Sequence, residues 1–211
     1  MNGAREFCLQ LKQGPAFLFL GQDYLKLDTG KNPFLQGILR KYGGDSPGES
    51  YDEVFQSSAA ADGNNSIAWM DGLCDRLAAP QWLETISHYP WSGVFSSSFD
   101  DIWLRTFRIP WRDIQSVYED KYKFHNIRSR THLNCVFLYG SIAGTDEGQI
   151  PPLNKLAKIK RKPIATSLLN RLPDLVSPFG TLVIEGYAGN RDWVLPEDIY
   201  PILVLQNLLE D

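Results

Sequence analysis

Ala16-Phe17-Leu18-Phe19-Leu20 runs apolar without a break and stops at Gly21. A run of this length closed by glycine reads as a strand buried on both faces, whose end needs a tight turn or close backbone approach. Three more runs share the form: Gly93-Val94-Phe95 stopping at Ser96, Cys135-Val136-Phe137-Leu138 stopping at Tyr139-Gly140, and Leu182-Val183-Ile184 ahead of Gly186-Tyr187-Ala188. Strands buried on both faces belong to parallel sheets, and open parallel sheets take ligands in the crevice beyond their carboxyl ends. Helical spacing fills the intervals, as where Pro33 opens Phe34-Leu35-x-x-Ile38-Leu39-x-x-Tyr42. The alternation predicts an α/β domain, doubly wound around a mostly parallel, Rossmann-like sheet.

Residues 4–12 predict a short leading helix, and 67–77 and 80–88 a helical pair. Residues 100–107 and 164–175 also read as helical, and Pro196 opens a terminal helix. Residues 108–132 predict a strand or two with a flexible arm, and residues 140–152 a loop. The stretch 43–66, rich in Gly, Ser, Asp and Ala, predicts a long mobile insertion. No internal repeat is present, and residues 1–211 are expected to form one domain.

At 211 residues and 43% apolar, the chain can bury a sizeable core. A formal net charge of -4 gives no global attraction to nucleic acid or anionic membrane. Cys8, Cys74 and Cys135 are odd in number and widely spaced, which signals neither a disulfide framework nor a zinc site. His88, His125 and His132 show no metal spacing either, so no metal is expected. No apolar stretch approaches the ~18 residues that span a bilayer. A soluble cytoplasmic protein with no membrane partner is the expectation.

Taken in order, the strand ends resemble the sirtuin-like NAD-binding domains of bacterial defence proteins. Where those carry Gly-Ala-Gly-x-Ser after the first strand, this chain has Gly21-Gln22-Asp23-Tyr24-Leu25. In place of Thr-x-Asn-x-Asp stands Ser96-Ser97-Ser98-Phe99-Asp100; in place of His-Gly, Tyr139-Gly140-Ser141; and in place of Gly-Tyr-Ser, Gly186-Tyr187-Ala188 with Asp192. Leu169 to Pro173 and Pro178 to Gly186 are similar to such domains placed ahead of STAND-type ATPases. The resemblance implies an N-terminal domain of a longer antiphage protein, with a C-terminal ATPase or sensor domain as partner and homo-oligomerisation.

The resemblance also implies NAD at this edge, held by Gly21, Gln22, Asp23, Ser96, Ser97, Gly140, Ser141, Gly186, Tyr187 and Ala188. Asp100, Ser98 and Tyr139 would stand in the catalytic positions. The substitutions oppose sirtuin chemistry. Ser98 offers a hydroxyl where an asparagine amide would give two donors and an acceptor. Tyr139, with an ordinary pKa near ~10, is a poor general base beside histidine near ~6.5. Asp23 sets a carboxylate where a second glycine would admit the pyrophosphate. The expectation is a degenerate nucleotide-binding, regulatory or oligomerising module that binds NAD weakly or not at all. The alternative is an active NAD glycohydrolase, in which Asp100 or Asp23 steadies an oxocarbenium-like state and Tyr139 and Tyr187 sandwich the base.

Each candidate has a structural reading beside the functional one. Asp100 could orient a ribose hydroxyl, or Asp100-Asp101 could simply be the acidic first turn of a serine-capped helix. Tyr139 could meet a base, or plug a vestigial pocket. Asp28-Thr29-Gly30-Lys31 is no phosphate loop, because the position five before Gly30 is Leu25. Five cations between Lys155 and Lys162 leave a nucleic-acid-binding module as a further alternative. They lack the interleaved aromatics of single-strand binders, and a solvated helix face is the plainer reading. Trp91, Trp103 and Trp111 flank the second strand end and are expected to pack there.

Overall fold

β1 (Ala16–Leu20) is buried at every position and is an interior strand of a five-stranded sheet, paired on both sides. The computed structural model describes residues 9, 11–27, 30–43, 50–124, 127–146, 148–176 and 180–207, with side chains to 202. β2 (Gly93–Ser96) and β5 (Thr181–Glu185) flank β1, with Leu20 level with both Ser96 and Glu185. β4 (His132–Phe137) joins the far side of β2, and β3 (Asp113–Val117) lies outside β4. Every pairing is parallel, so the carboxyl ends of all five strands share one edge.

Helices α1 (Pro33–Tyr42), α2 (Tyr51–Asp62), α3 (Asn64–Cys74) and α4 (Gln81–Ser87) connect β1 to β2. After β2 comes α5 (Ile102–Phe107), after β4 come α6 (Lys155–Leu169) and α7 (Leu172–Val176), and after β5 comes α8 (Pro196–Asn207). The result is an α/β, Rossmann-like architecture. β1, β2 and β4 are the buried runs that the sequence implied, whereas β5 is half-exposed, as befits an edge strand. Burying Phe17, Leu18, Phe19 and Leu20 contributes roughly 6–12 kcal/mol before chain entropy is set against it.

One expectation is corrected outright. Residues 50–66 are not a loop: α2 begins at Tyr51, and Tyr51, Val54, Phe55 and Ala59 face the core. Residues 44–49 lie outside the described residues, as do the leading helix except Leu9, Leu11 and Lys12, and also Cys8 and His125. The basic run and the first part of the amphipathic stretch, to Leu169, are one helix, α6, and Leu172 to Leu175 of that stretch fall in α7. Trp103 and Trp91 pack in the core as expected, while Trp111 is exposed.

Candidate functional site

The turn after β1 is built on two close approaches. The Gly21 N–H donates to the Glu185 carbonyl at 2.9 Å and the Asp23 N–H to the Gly186 carbonyl at 2.7 Å. A Cβ on Gly21 would overlap the backbone of Gly186 and Tyr187. Gly186 has φ of 66°, and a Cβ there would overlap the Tyr24 backbone. Both glycines are therefore demanded by backbone contact. The Gln22–Leu25 segment winds as a single 3-10 turn, and Asn32, which caps α1 through its side-chain oxygen, donates its amide to the Gln22 carbonyl at 2.9 Å.

Gln22 is fully buried and bridges to the second strand end. Its Nε2 donates to Ser98 Oγ at 3.0 Å, and its Oε1 accepts from the Phe99 N–H at 3.3 Å. The Ser96 hydroxyl donates to the Leu20 carbonyl at 3.2 Å and accepts from the Ser98 N–H at 3.0 Å. Ser97 is buried beside them, its N–H donating to Leu20. Asp100, fully buried, accepts from the hydroxyls of Ser98 and Tyr24 and from the Ile102 N–H at 3.1 Å. Thus Asp100, rather than a serine, receives the first N–H of α5. Burial pushes its carboxyl up to about 6, with the Ser98, Tyr24 and Ile102 hydrogen bonds holding it lower than burial alone would.

Asp192 closes the cluster from the β5 side. It is fully buried, accepts from the N–H groups of Gln22 at 3.0 Å, Ala188 at 3.3 Å and Val194 at 3.4 Å, and burial raises its pKa. Tyr187 is half-buried, its hydroxyl donating to the Val194 carbonyl at 3.1 Å and its ring set against Phe19. At the β4 end, Tyr139 is 2% exposed and packs on Trp193 with ring centres 5.4 Å apart; burial drives its phenol further above the ordinary value. Gly140 takes φ of 84° to let the 149–150 backbone pass, and the Ser141 N–H donates to the Gln149 carbonyl at 2.7 Å.

Gly21, Ser98 and Gly186 therefore meet at one edge of the sheet. Tyr139 reaches the same group through Trp193, which also touches Phe99 at 5.9 Å. Asp23 is charge-compensated: Arg191 lies 2.8 Å from it, Lys26 3.8 Å, and the Tyr51 hydroxyl donates to it. Its carboxylate is thereby drawn toward Arg191 and Tyr51. Sequence reading missed Tyr24, Tyr51, Phe55, Trp193 and Arg191 and assigned Lys158 to a solvated basic run, although all of them complete this edge. The signal for α2 was present in Ser50-x-x-Glu53, a capping box, followed by buried positions at Tyr51, Val54, Phe55 and Ser58.

The basic run divides by direction. The Arg161 guanidinium is buried and donates to the carbonyls of Phe137, Leu138, Tyr118 and Gly148. Lys158 pairs with Asp52 at 2.6 Å and Lys162 with Asp198 at 3.3 Å, leaving Lys155 and Lys160 exposed. Among the described residues no group of three metal-ligating side chains converges, and no helix is long and apolar enough to cross a membrane. No protein-family model matches this chain, and no curated protein is significantly similar to it.

Proposed function

We propose that this is a sirtuin-like regulatory or oligomerising module of a bacterial antiphage defence protein, acting in the cytoplasm beside a C-terminal ATPase or sensor domain. In this reading its nucleotide crevice is closed by the chain's own side chains, and sirtuin-type turnover of NAD is lost. One observation carries the reading: Gln22, Ser98, Asp100 and Asp192 at the carboxyl edge are buried and spend their hydrogen bonds on one another and on adjacent backbone. A dinucleotide seated there would have to replace those bonds, and each buried polar atom left unpaired costs about 1–3 kcal/mol. Tyr139 and Trp193 pack their rings together, and Trp193 meets Phe99, whose N–H bonds Gln22. The order of strand-end motifs supports descent from a nucleotide site, and the serine and tyrosine at its two reactive positions support its silencing.

The test is release of nicotinamide from NAD by the purified chain, followed chromatographically. No release above the spontaneous rate is expected. Turnover that disappears in Asp100→Asn would overturn the reading in favour of a glycohydrolase.

A further inference from the structure

The first two turns of α2 present an acid and a ring from one helix face, since Asp52 and Phe55 are three residues apart. The Asp52 carboxylate lies 2.6 Å from Lys158 Nζ, and both side chains are largely withdrawn from solvent. The same ammonium sits 5.7 Å from the centre of the Trp193 ring. Phe55 packs against Trp193 at 5.8 Å and against Phe99 at 5.0 Å. Alongside, the Tyr51 hydroxyl donates to Asp23, which also holds Arg191. An anion on a lysine and a flat group against a tryptophan, side by side, are what a nucleotide offers a binding site: a phosphate and a ring.

We propose that Lys158 and Trp193 form a subsite for the phosphate and ring of a nucleotide, and that Asp52 and Phe55 occupy it as an intramolecular stand-in. The inference rests on the reading of this edge as a nucleotide crevice and adds how that crevice is regulated. A tethered competitor lowers apparent affinity by the fraction of molecules in which it is seated. Unseating the start of α2 carries Asp52 and Phe55 away while Lys158 stays on α6 and Trp193 stays packed on Phe99 and Tyr139, so the cation and ring are released together. The far end of α2 meets α3 at Gly63, whose φ of 57° and open surroundings suit a joint. The fold thus carries a carboxylate latch whose release creates an anion site.

The experiment titrates the whole chain calorimetrically with ADP-ribose, comparing wild type, Asp52→Asn, and Asp52→Asn combined with Lys158→Gln. Asp52→Asn keeps the side-chain shape and removes the competing charge. It is expected to give saturable binding below about 1 mM, at least about tenfold tighter than wild type and equivalent to a gain of about 1.4 kcal/mol or more, and to speed amide exchange over residues 51–58. Adding Lys158→Gln is expected to erase the gain. Phe55→Leu leaves the charge pair in place and withdraws the ring from Trp193; it tests the subsite independently and should tighten binding about threefold. Affinity unchanged from wild type in both single variants, or a gain that survives loss of Lys158, overturns the proposal. ADP-ribose carries no nicotinamide bond, so the comparison reads the subsite whether or not the wild-type chain splits NAD.

Discussion

The stability gap between Asp100→Asn and wild type should depend on pH, and Asp100 alone sets how. Its carboxyl is fully buried and rises from 3.8 to about 6 on folding, because burial outweighs the Ser98, Tyr24 and Ile102 donors. A carboxyl with a raised folded pKa binds its proton more tightly in the folded chain. Its contribution is therefore most favourable below the unfolded value, falls as pH rises between about 4 and 6, and is fully lost above that window. Two pH units correspond to a ceiling of about 3 kcal/mol. Between about pH 4.5 and pH 7.5 the change is about 2 kcal/mol.

Asparagine has no proton to bind, so the variant should gain about 2 kcal/mol relative to wild type as pH rises across that interval. Other carboxyls, including buried Asp192, are common to both chains and cancel in the difference. Urea unfolding followed by tryptophan fluorescence at several pH values gives the gap directly. A gap constant to within about 0.5 kcal/mol, or one that moves against the variant as pH rises, would refute the reasoning. In the second case the three donors would be holding the ionised form more strongly than burial opposes it.

Gly186→Ala should cost more than about 3 kcal/mol, because it combines positive φ with a backbone collision at Tyr24; a loss under about 1 kcal/mol in the same assay would show that the turn can yield. Arg161→Met should cost about 3 kcal/mol, since four carbonyls at the ends of β3 and β4 and in the 140–152 loop lose their donor, and a neutral result by urea midpoint would contradict that role. Tyr139→Phe should leave stability within about 0.5 kcal/mol, whereas Tyr139→Ala should lower it by about 3 kcal/mol through the cavity left against Trp193. Equal losses in the two variants would mean that the phenol hydroxyl, and not the ring, carries the position.

The sheet was readable because its central strands are buried on both faces and announce themselves as unbroken apolar runs. β3 was harder to read: Asp113-Ile114-Gln115-Ser116-Val117 is an edge strand with one buried residue, so it has no run to detect. α2 was misread because its small residues, Ser57 to Ala61, look like a linker by composition, although Tyr51, Val54, Phe55, Ser58 and Ala59 follow helical spacing. The meeting of Gly21, Ser98 and Gly186 followed from parallel topology, which brings every strand's carboxyl end to one edge. The closure over them did not follow. Arg191 and Tyr51, which both bind Asp23, lie 168 and 28 residues away from it, and no local pattern encodes such distant contacts. The basic run misled for a related reason: charge can be counted from sequence, but the inward turn of Arg161 and Lys158 depends on carbonyls and a carboxylate supplied by other elements.

The closed crevice is tested most directly by calorimetric titration of the wild-type chain with NAD. The account predicts no saturable heat up to concentrations on the order of 1 mM, corresponding to binding weaker than about 4 kcal/mol. A dissociation constant in the micromolar range, with the affinity lost in Gln22→Ala, would contradict it.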